Sequence, residues 1–348
     1  MNELIFKSLS RQHELEHEAG DEWNCFVDRY GVNFQYEKKS HRKLIFLSSA
    51  ASILLLVTLY ILIPSAPVEN DLFAFVMEQE DLLTNTTITT TRGDTMETTV
   101  SHASIELIHN GQQLSVEDKV VDEVPNGNSV FINTLKVPYG KTAKILLADG
   151  TQVWLNAGSQ LIFPNHFRNS DKREVMLVGE GYFEVAHNPS KAFRVLTNDM
   201  TYTVLGTAFN INAYDGEQNG EAVLVNGSLQ IEHNNSAQKV VLEPGQKASL
   251  NKGLNRMSTF SVDPALYTSW KDGYLTLNHA TFSQLIRQVE CYYNYQIVFD
   301  KQLLSESDIL SGKLLLEEEP ENVINALCDL VGVECKINGS RIELYRPE

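Results

Sequence analysis

Three residues near the start of the chain could do chemistry together. His13-Glu14-Leu15-Glu16-His17 fits the pattern His-Glu-x-x-His. On a helix, two histidines four apart share a face and can hold zinc, with Glu14 as general base. Such a centre also needs a third protein ligand and a substrate cleft. The chain between His17 and the apolar run that starts at Leu44 is too short to build that cleft. A solvated, charged helix face accounts for the match, so the metallopeptidase reading is disfavoured. Zinc held by thiolates fits no better, because Cys25 has no cysteine near it and no Cys-x-x-Cys pair occurs anywhere. Cys291, Cys328 and Cys335 cluster towards the C-terminus, and an odd count leaves one thiol over if two join. Cys291 and Cys328 fall on predicted helices beside apolar neighbours, so buried thiols and a disulfide both stay open. No histidine is assigned to a metal, and no cofactor is expected.

The elements around these residues divide the chain. Its 348 residues carry a formal charge of −17, which argues against direct nucleic-acid binding. Four cysteines in this length exclude a disulfide scaffold. Leu44 to Ile63 runs for 20 residues without a charge, and at about 1.5 Å per residue it reaches about 30 Å, the thickness of a hydrocarbon core. Pro64 and Pro67 punctuate its end. Residues 1–43 precede it, so the run reads as an uncleaved signal anchor and not as a cleaved leader. Lys38, Lys39, Arg42 and Lys43 sit before the span, and acidic residues follow it. The positive-inside rule then predicts a cytoplasmic N-terminus and a body outside, which for a bacterial chain means the inner membrane and the periplasm.

In the tail, Trp23, Phe26, Val27, Tyr30 and Phe34 recur at helical spacing and form one apolar stripe. Two short helices cannot bury five large apolar groups by themselves. The stripe reads as a docking face for a cytoplasmic partner, or else as a helix lying on lipid.

Beyond the spacer at 64–85 the pattern changes to short alternating runs broken by Gly, Asn and Asp, which predicts an all-β unit. Thr86 to Thr91 reads as low complexity. Asp149-Gly150 and Asn226-Gly227, each between two strand-like runs, are hairpin signals. From Leu266 the order becomes β-α-β-β-α-β-β, a small α+β unit. Its first predicted helix presents Phe282, Leu285, Ile286 and Val289 on one face, and its second, from Pro320 to Val331, carries the apolar Val323, Leu327, Leu330 and Val331. Asn338-Gly339 closes a last hairpin.

Five words occur in order across the β unit: Val137-Pro138-Tyr139-Gly140; Leu147-Ala148-Asp149-Gly150-Thr151 running on to Asn156-Ala157-Gly158-Ser159; Gly179-Glu180-Gly181-Tyr182-Phe183-Glu184-Val185; Val204-Leu205-Gly206-Thr207-Ala208-Phe209-Asn210; and Leu242-Glu243-Pro244-Gly245-Gln246. With these words the chain resembles the FecR family, membrane-bound anti-sigma factors of cell-surface signalling. Trp270-Lys271-Asp272-Gly273 and the residues after it resemble the companion C-terminal domain, akin to the secretin and TonB N-terminal fold. The words themselves read as turns and bulges, with no nucleophile, base and orienter set and no phosphate loop among them.

The resemblance implies a cytoplasmic tail at 1–43, a span at 44–63, a spacer and leading β-segment at 64–133, a FecR-like all-β domain at 134–262 and the α+β domain at 263–348. It implies no enzymatic turnover. The partners it implies are an extracytoplasmic-function sigma factor, held by the stripe from Trp23 to Phe34, and the signalling domain of a TonB-dependent outer-membrane transporter. The helical module usual before the span is reduced here, so a co-activating role stands beside an inhibitory one. A membrane protein whose β unit binds glycan directly is the alternative. In some family members the Gly-Thr bond of the fourth word breaks by itself, which here would be Gly206–Thr207. The Thr207 hydroxyl would attack the Gly206 carbonyl to give an ester that water opens. The other reading is a plain strand glycine before a β-branched residue.

Overall fold

The computed structural model describes residues 85–90, 95–98, 102–108, 113–116, 119–123, 130–168, 171–299, 309–316 and 319–346. The expected tail helices, with Trp23, Phe26, Val27, Tyr30 and Phe34, lie outside the described residues, as do the His13–His17 group and the apolar run at 44–63. Among the described residues, no helix is long and apolar enough to cross a membrane.

The described part is mostly β. The first strands are β1 (Thr86–Thr90), β2 (Thr95–Thr98), β3 (His102–Ile108), β4 (Gln113–Val116) and β5 (Lys119–Glu123). There follow β6 (Ile132–Lys136), β7 (Thr142–Leu146), β8 (Gln152–Leu155), β9 (Gln160–Pro164), β10 (Arg173–Glu184), β11 (Phe193–Leu196), β12 (Met200–Val204) and β13 (Ala208–Ala213). The series ends with β14 (Asn219–Asn226), β15 (Leu229–His233), β16 (Lys239–Leu242), β17 (Gln246–Asn251) and β18 (Arg256–Ser261).

Pairing sorts these strands into two sheets. One runs β2-β1-β6-β9-β10-β11-β12-β15-β16. The other runs β5-β4-β3-β7-β8-β10-β13-β14-β17-β18. Strand β10 belongs to both. Its first half, around Met176, pairs with β9 and β11, and its second half, from Gly179 to Glu184, pairs with β8 and β13. The change of sheet falls at Gly179, whose φ is +93°. A Cβ there would stand 2.5 Å from Ser159 Oγ and 2.8 Å from Ser159 Cα, so both the backbone angle and the space demand glycine. The inward faces share one core, with Leu135, Leu161 and Val175 from the first sheet meeting Ile145, Phe183 and Phe209 from the second.

Two sequence expectations change here. The Thr-rich stretch taken as low complexity is β1, where Thr86, Thr87 and Ile88 are buried. β-Branched threonine suits a half-buried pleat, and composition alone could not distinguish that from a linker. Ile88, Ala103 and Ile105 join the same core as β6–β17, so the leading strands are part of the body. The second change concerns the hairpins. Asp149-Gly150 does close one, since β7 and β8 pair directly. Asn226-Gly227 does not: β14 pairs with β13 and β17, while β15 pairs with β12 and β16 in the other sheet. This turn is a corner between sheets.

The C-terminal unit opens with a short helix α1 (Ala265–Thr268) and a 3-10 turn, Ser269–Asp272. It continues with β19 (Tyr274–Thr281), α2 (Phe282–Tyr293), β20 (Gln296–Phe299), β21 (Ile309–Leu315), α3 (Pro320–Val331), β22 (Glu334–Asn338) and β23 (Arg341–Tyr345). That is the predicted β-α-β-β-α-β-β order. Strands β19 and β21 pair, and a second small sheet runs β20-β23-β22. Thr281 caps α2 in a capping box with Gln284, and left-handed Asn294 ends it. The buried face of α2 is the expected one. On α3, Val323, Ile324, Leu327 and Cys328 are buried, whereas Leu330 is 57% exposed. Leu330 and Val331 lie in the last turn, where hydrophobicity alone does not fix the facing direction.

Candidate functional site

The outer face of the second sheet is built by strict alternation. Along β8, β10 and β13, Val153, Phe183 and Phe209 point into the sandwich core. Their neighbours Trp154, Tyr182 and Ala208 point the other way, into the core of the C-terminal unit. Trp154, Tyr182 and Asn210 form a cross-strand row, with Tyr182 opposite both of the others. The Trp154 and Tyr182 rings meet edge-on at 5.5 Å. The 3-10 turn lowers Trp270 onto this row, where it is 3% exposed and its Nε1 donates to Asn210 Oδ1 at 3.3 Å. Lys271 follows it, with Nζ 5.4 Å from the Tyr182 ring centre. On the far side, Gly140 N donates to Tyr292 O at 2.8 Å, a backbone bond between body and C-terminal unit.

Beneath Trp270 lies a polar network around Glu180. Asn156 Nδ2 donates to Glu180 Oε2 at 2.8 Å, and Asn210 Nδ2 donates to Glu180 Oε1 at 2.8 Å. Glu180 N donates to Ser159 Oγ, and Tyr214 Oη donates to Ala157 O at 2.6 Å. Burial pushes the Glu180 carboxyl up to about 7; the two amide donors pull against this, and Glu217 and Glu221 add to it. Those neighbours have partners of their own. Lys247 Nζ lies 2.9 Å from Glu221 Oε1. Arg287 Nη2 lies 3.8 Å from Glu217 Oε1, which also accepts from Cys291 Sγ at 3.5 Å. Arg287 and Cys291 belong to α2, so this network too spans the junction.

The Gly206–Thr207 bond lies at the edge of the body, in the bend between β12 and β13. It is therefore not within a strand, as the plain alternative supposed. Thr207 is buried. Its Oγ1 donates to Ser228 O at 3.0 Å, and its carbonyl accepts from Val185 N at 3.0 Å. A Cβ on Gly206 would stand 2.5 Å from His187 Nδ1 and 2.7 Å from His187 Cα, so no side chain fits. Gly206 is not among the residues with left-handed backbone. The hydroxyl thus donates its proton to Ser228 O.

Two family models match the chain: FecR protein over residues 133–230, and FecR, C-terminal over residues 274–344. The chain thus carries both domains of the FecR family, at residues 133–230 and 274–344. Two crystal structures, each of a candidate anti-sigma factor from Parabacteroides distasonis ATCC 8503, are similar to it at 29% identity and a TM-score of 0.52. Each likeness covers 62% of this chain, and 99% and 100% of theirs respectively. No curated protein matches.

The FecR words that read as separate turns therefore converge. Tyr139-Gly140, Asn156-Ala157-Gly158-Ser159, Gly179-Glu180-Gly181 and Asn210 all meet at one corner, under the C-terminal unit. Sequence reasoning singled out these residues but missed their shared role. The one local signal was an acidic residue between two glycines in a strand, which nothing nearby could satisfy. Among the described residues, no group of three or more His, Cys, Asp and Glu is arranged to hold a metal.

Proposed function

We propose that this chain is a single-pass regulator of an extracytoplasmic-function sigma factor. In this reading residues 1–43 lie in the cytoplasm, 44–63 cross the inner membrane, and the body and C-terminal unit lie in the periplasm. The stripe Trp23, Phe26, Val27, Tyr30 and Phe34 contacts the sigma factor. The C-terminal unit receives the signalling domain of a TonB-dependent outer-membrane transporter. The protein regulates by binding, with no turnover of its own. The family match supports this, as does the likeness to candidate anti-sigma factors. The charge change across the apolar run supports the orientation.

The observation that carries the reading is the junction. Trp270 and the Glu180 network tie the C-terminal unit to the β body, so a partner docked on one is felt by the other. The test is co-expression of the full chain with candidate sigma factors, followed by pull-down and a promoter reporter. We expect one sigma factor to be retained, and Trp23→Ala with Tyr30→Ala to release it. Retention unchanged by that pair would remove the stripe from the mechanism.

The Gly206–Thr207 bond belongs to the same reading as a site of self-cleavage. Full-length chain migrating as two fragments, and as one after Thr207→Ala, would establish it. A single intact species in both would make the pair structural only.

A further inference from the structure

Helix α3 ends in a tight reversal. Left-handed Gly332 turns the chain, and both Gly332 N and Val333 N donate to Cys328 O. The reversal sends β22 back along the helix that precedes it. In the alternation of that segment, Val333 is buried, Glu334 is exposed and Cys335 is partly buried, so Val333 and Cys335 face α3. Two contacts show where Cys335 arrives. Its Sγ is 3.7 Å from Asn325 Oδ1, one helical turn before Cys328. It also packs against the apolar cluster in which the Cys328 side chain is buried. Cys291 is elsewhere, on α2 against Glu217. The three thiols therefore divide into one neighbouring pair and one single.

We propose that Cys328 and Cys335 are a redox modification site, at which a disulfide ties the last turn of α3 to β22. Cys328 is 4% exposed and Cys335 is partly exposed, so an oxidant reaches Cys335 first. The oxidant is a disulfide, either glutathione disulfide or a thiol–disulfide oxidoreductase. The Cys335 thiolate attacks one of its sulfurs and releases the first thiol of the oxidant. The Cys328 sulfur then attacks the mixed disulfide at Cys335 Sγ and releases the second. Two protein thiols lose two protons and two electrons, and the oxidant disulfide gains them as two thiols. Burial and the adjacent Cys335 push the Cys328 thiol up to about 12, so the second step is the slow one. The site does not depend on the regulator reading; it needs only the reversal at Gly332.

The test uses the full chain in detergent, incubated with glutathione disulfide, denatured, alkylated and digested with trypsin. Cleavage after Lys313 and Lys336 places both cysteines in one peptide, 314–336, and Cys291 in another. We expect peptide 314–336 to lose all alkylation and to weigh two hydrogens less, with dithiothreitol restoring both thiols. The Cys291 peptide should stay alkylated. In Cys335→Ser, Cys328 should remain fully alkylated under the same oxidant. A chain in which both thiols stay alkylated would overturn the proposal. So would a peptide that stops as a glutathione adduct on Cys335, or one linked to Cys291.

Discussion

Arg173 and Glu180 stand in opposite halves of β10, and each shows what burial of a charge requires. Arg173 is 2% exposed; its Nη1 donates to Asp149 Oδ2 and Ala186 O at 2.8 Å and its Nε to Lys191 O at 3.0 Å, while its buried Nη2 has no partner among the described residues. Asp149 in turn holds the β7–β8 turn through Thr151 N and Oγ1. Removing the guanidinium leaves that carboxylate without its counter-charge. Arg173→Ala should therefore cost about 3–5 kcal/mol, read as a fall in the urea midpoint at unchanged slope. Glu180 is the reverse case, a carboxyl that burial makes reluctant to ionise. Its folded value of about 7 lies above the usual 4.5, so the native chain keeps a proton that the unfolded chain gives up in between. Stability should thus fall as pH rises from about 4.5 to 7, by at most about 3 kcal/mol, and then level off. Glu180→Gln should flatten that slope in melts run between pH 5 and 8. A slope that persists would assign the effect to another group.

At the scale of elements, the bend of β10 depends on one residue. Gly179→Ala puts a Cβ against the Ser159 backbone and an L-residue at φ +93°, and the backbone strain alone is worth about 1–3 kcal/mol. Its melting temperature should drop further than that of Gly216→Ala, which has an equally left-handed backbone but open space around it. Most elements were legible in the sequence because their signals are local. Alternation marked the strands, and the stripe of Phe282, Leu285, Ile286 and Val289 marked α2. The two turn dipeptides show the limit of such signals. Asp149-Gly150 and Asn226-Gly227 ask for the same backbone reversal, but only pairing partners far along the chain decide whether the flanking strands share a sheet. The junction was illegible for the same reason. Asn156 and Asn210 reach Glu180 across 24 and 30 residues, and Trp270 reaches Asn210 across 60.

For the whole molecule, the junction sets whether body and C-terminal unit behave as one. Trp270 joins the C-terminal core to Tyr182 and Ala157 of the body and closes over the Glu180 network. Trp270→Ala should cost about 3–5 kcal/mol at this contact and split one thermal transition into two in calorimetry. A single, merely lowered transition would mean that the remaining contacts, such as Gly140 to Tyr292, keep the two parts coupled.

A strand held by both sheets also has a consequence in time. The amides of β10 are bonded in its first half to β9 and β11 and in its second half to β8 and β13. Fraying of either sheet alone leaves half of the strand protected from exchange with deuterated water. The amides of 173–178 and of 179–184 should therefore form two exchange groups, each following the opening of its own sheet, and both slower than edge strands such as β16 and β18, which exchange through cheaper local openings.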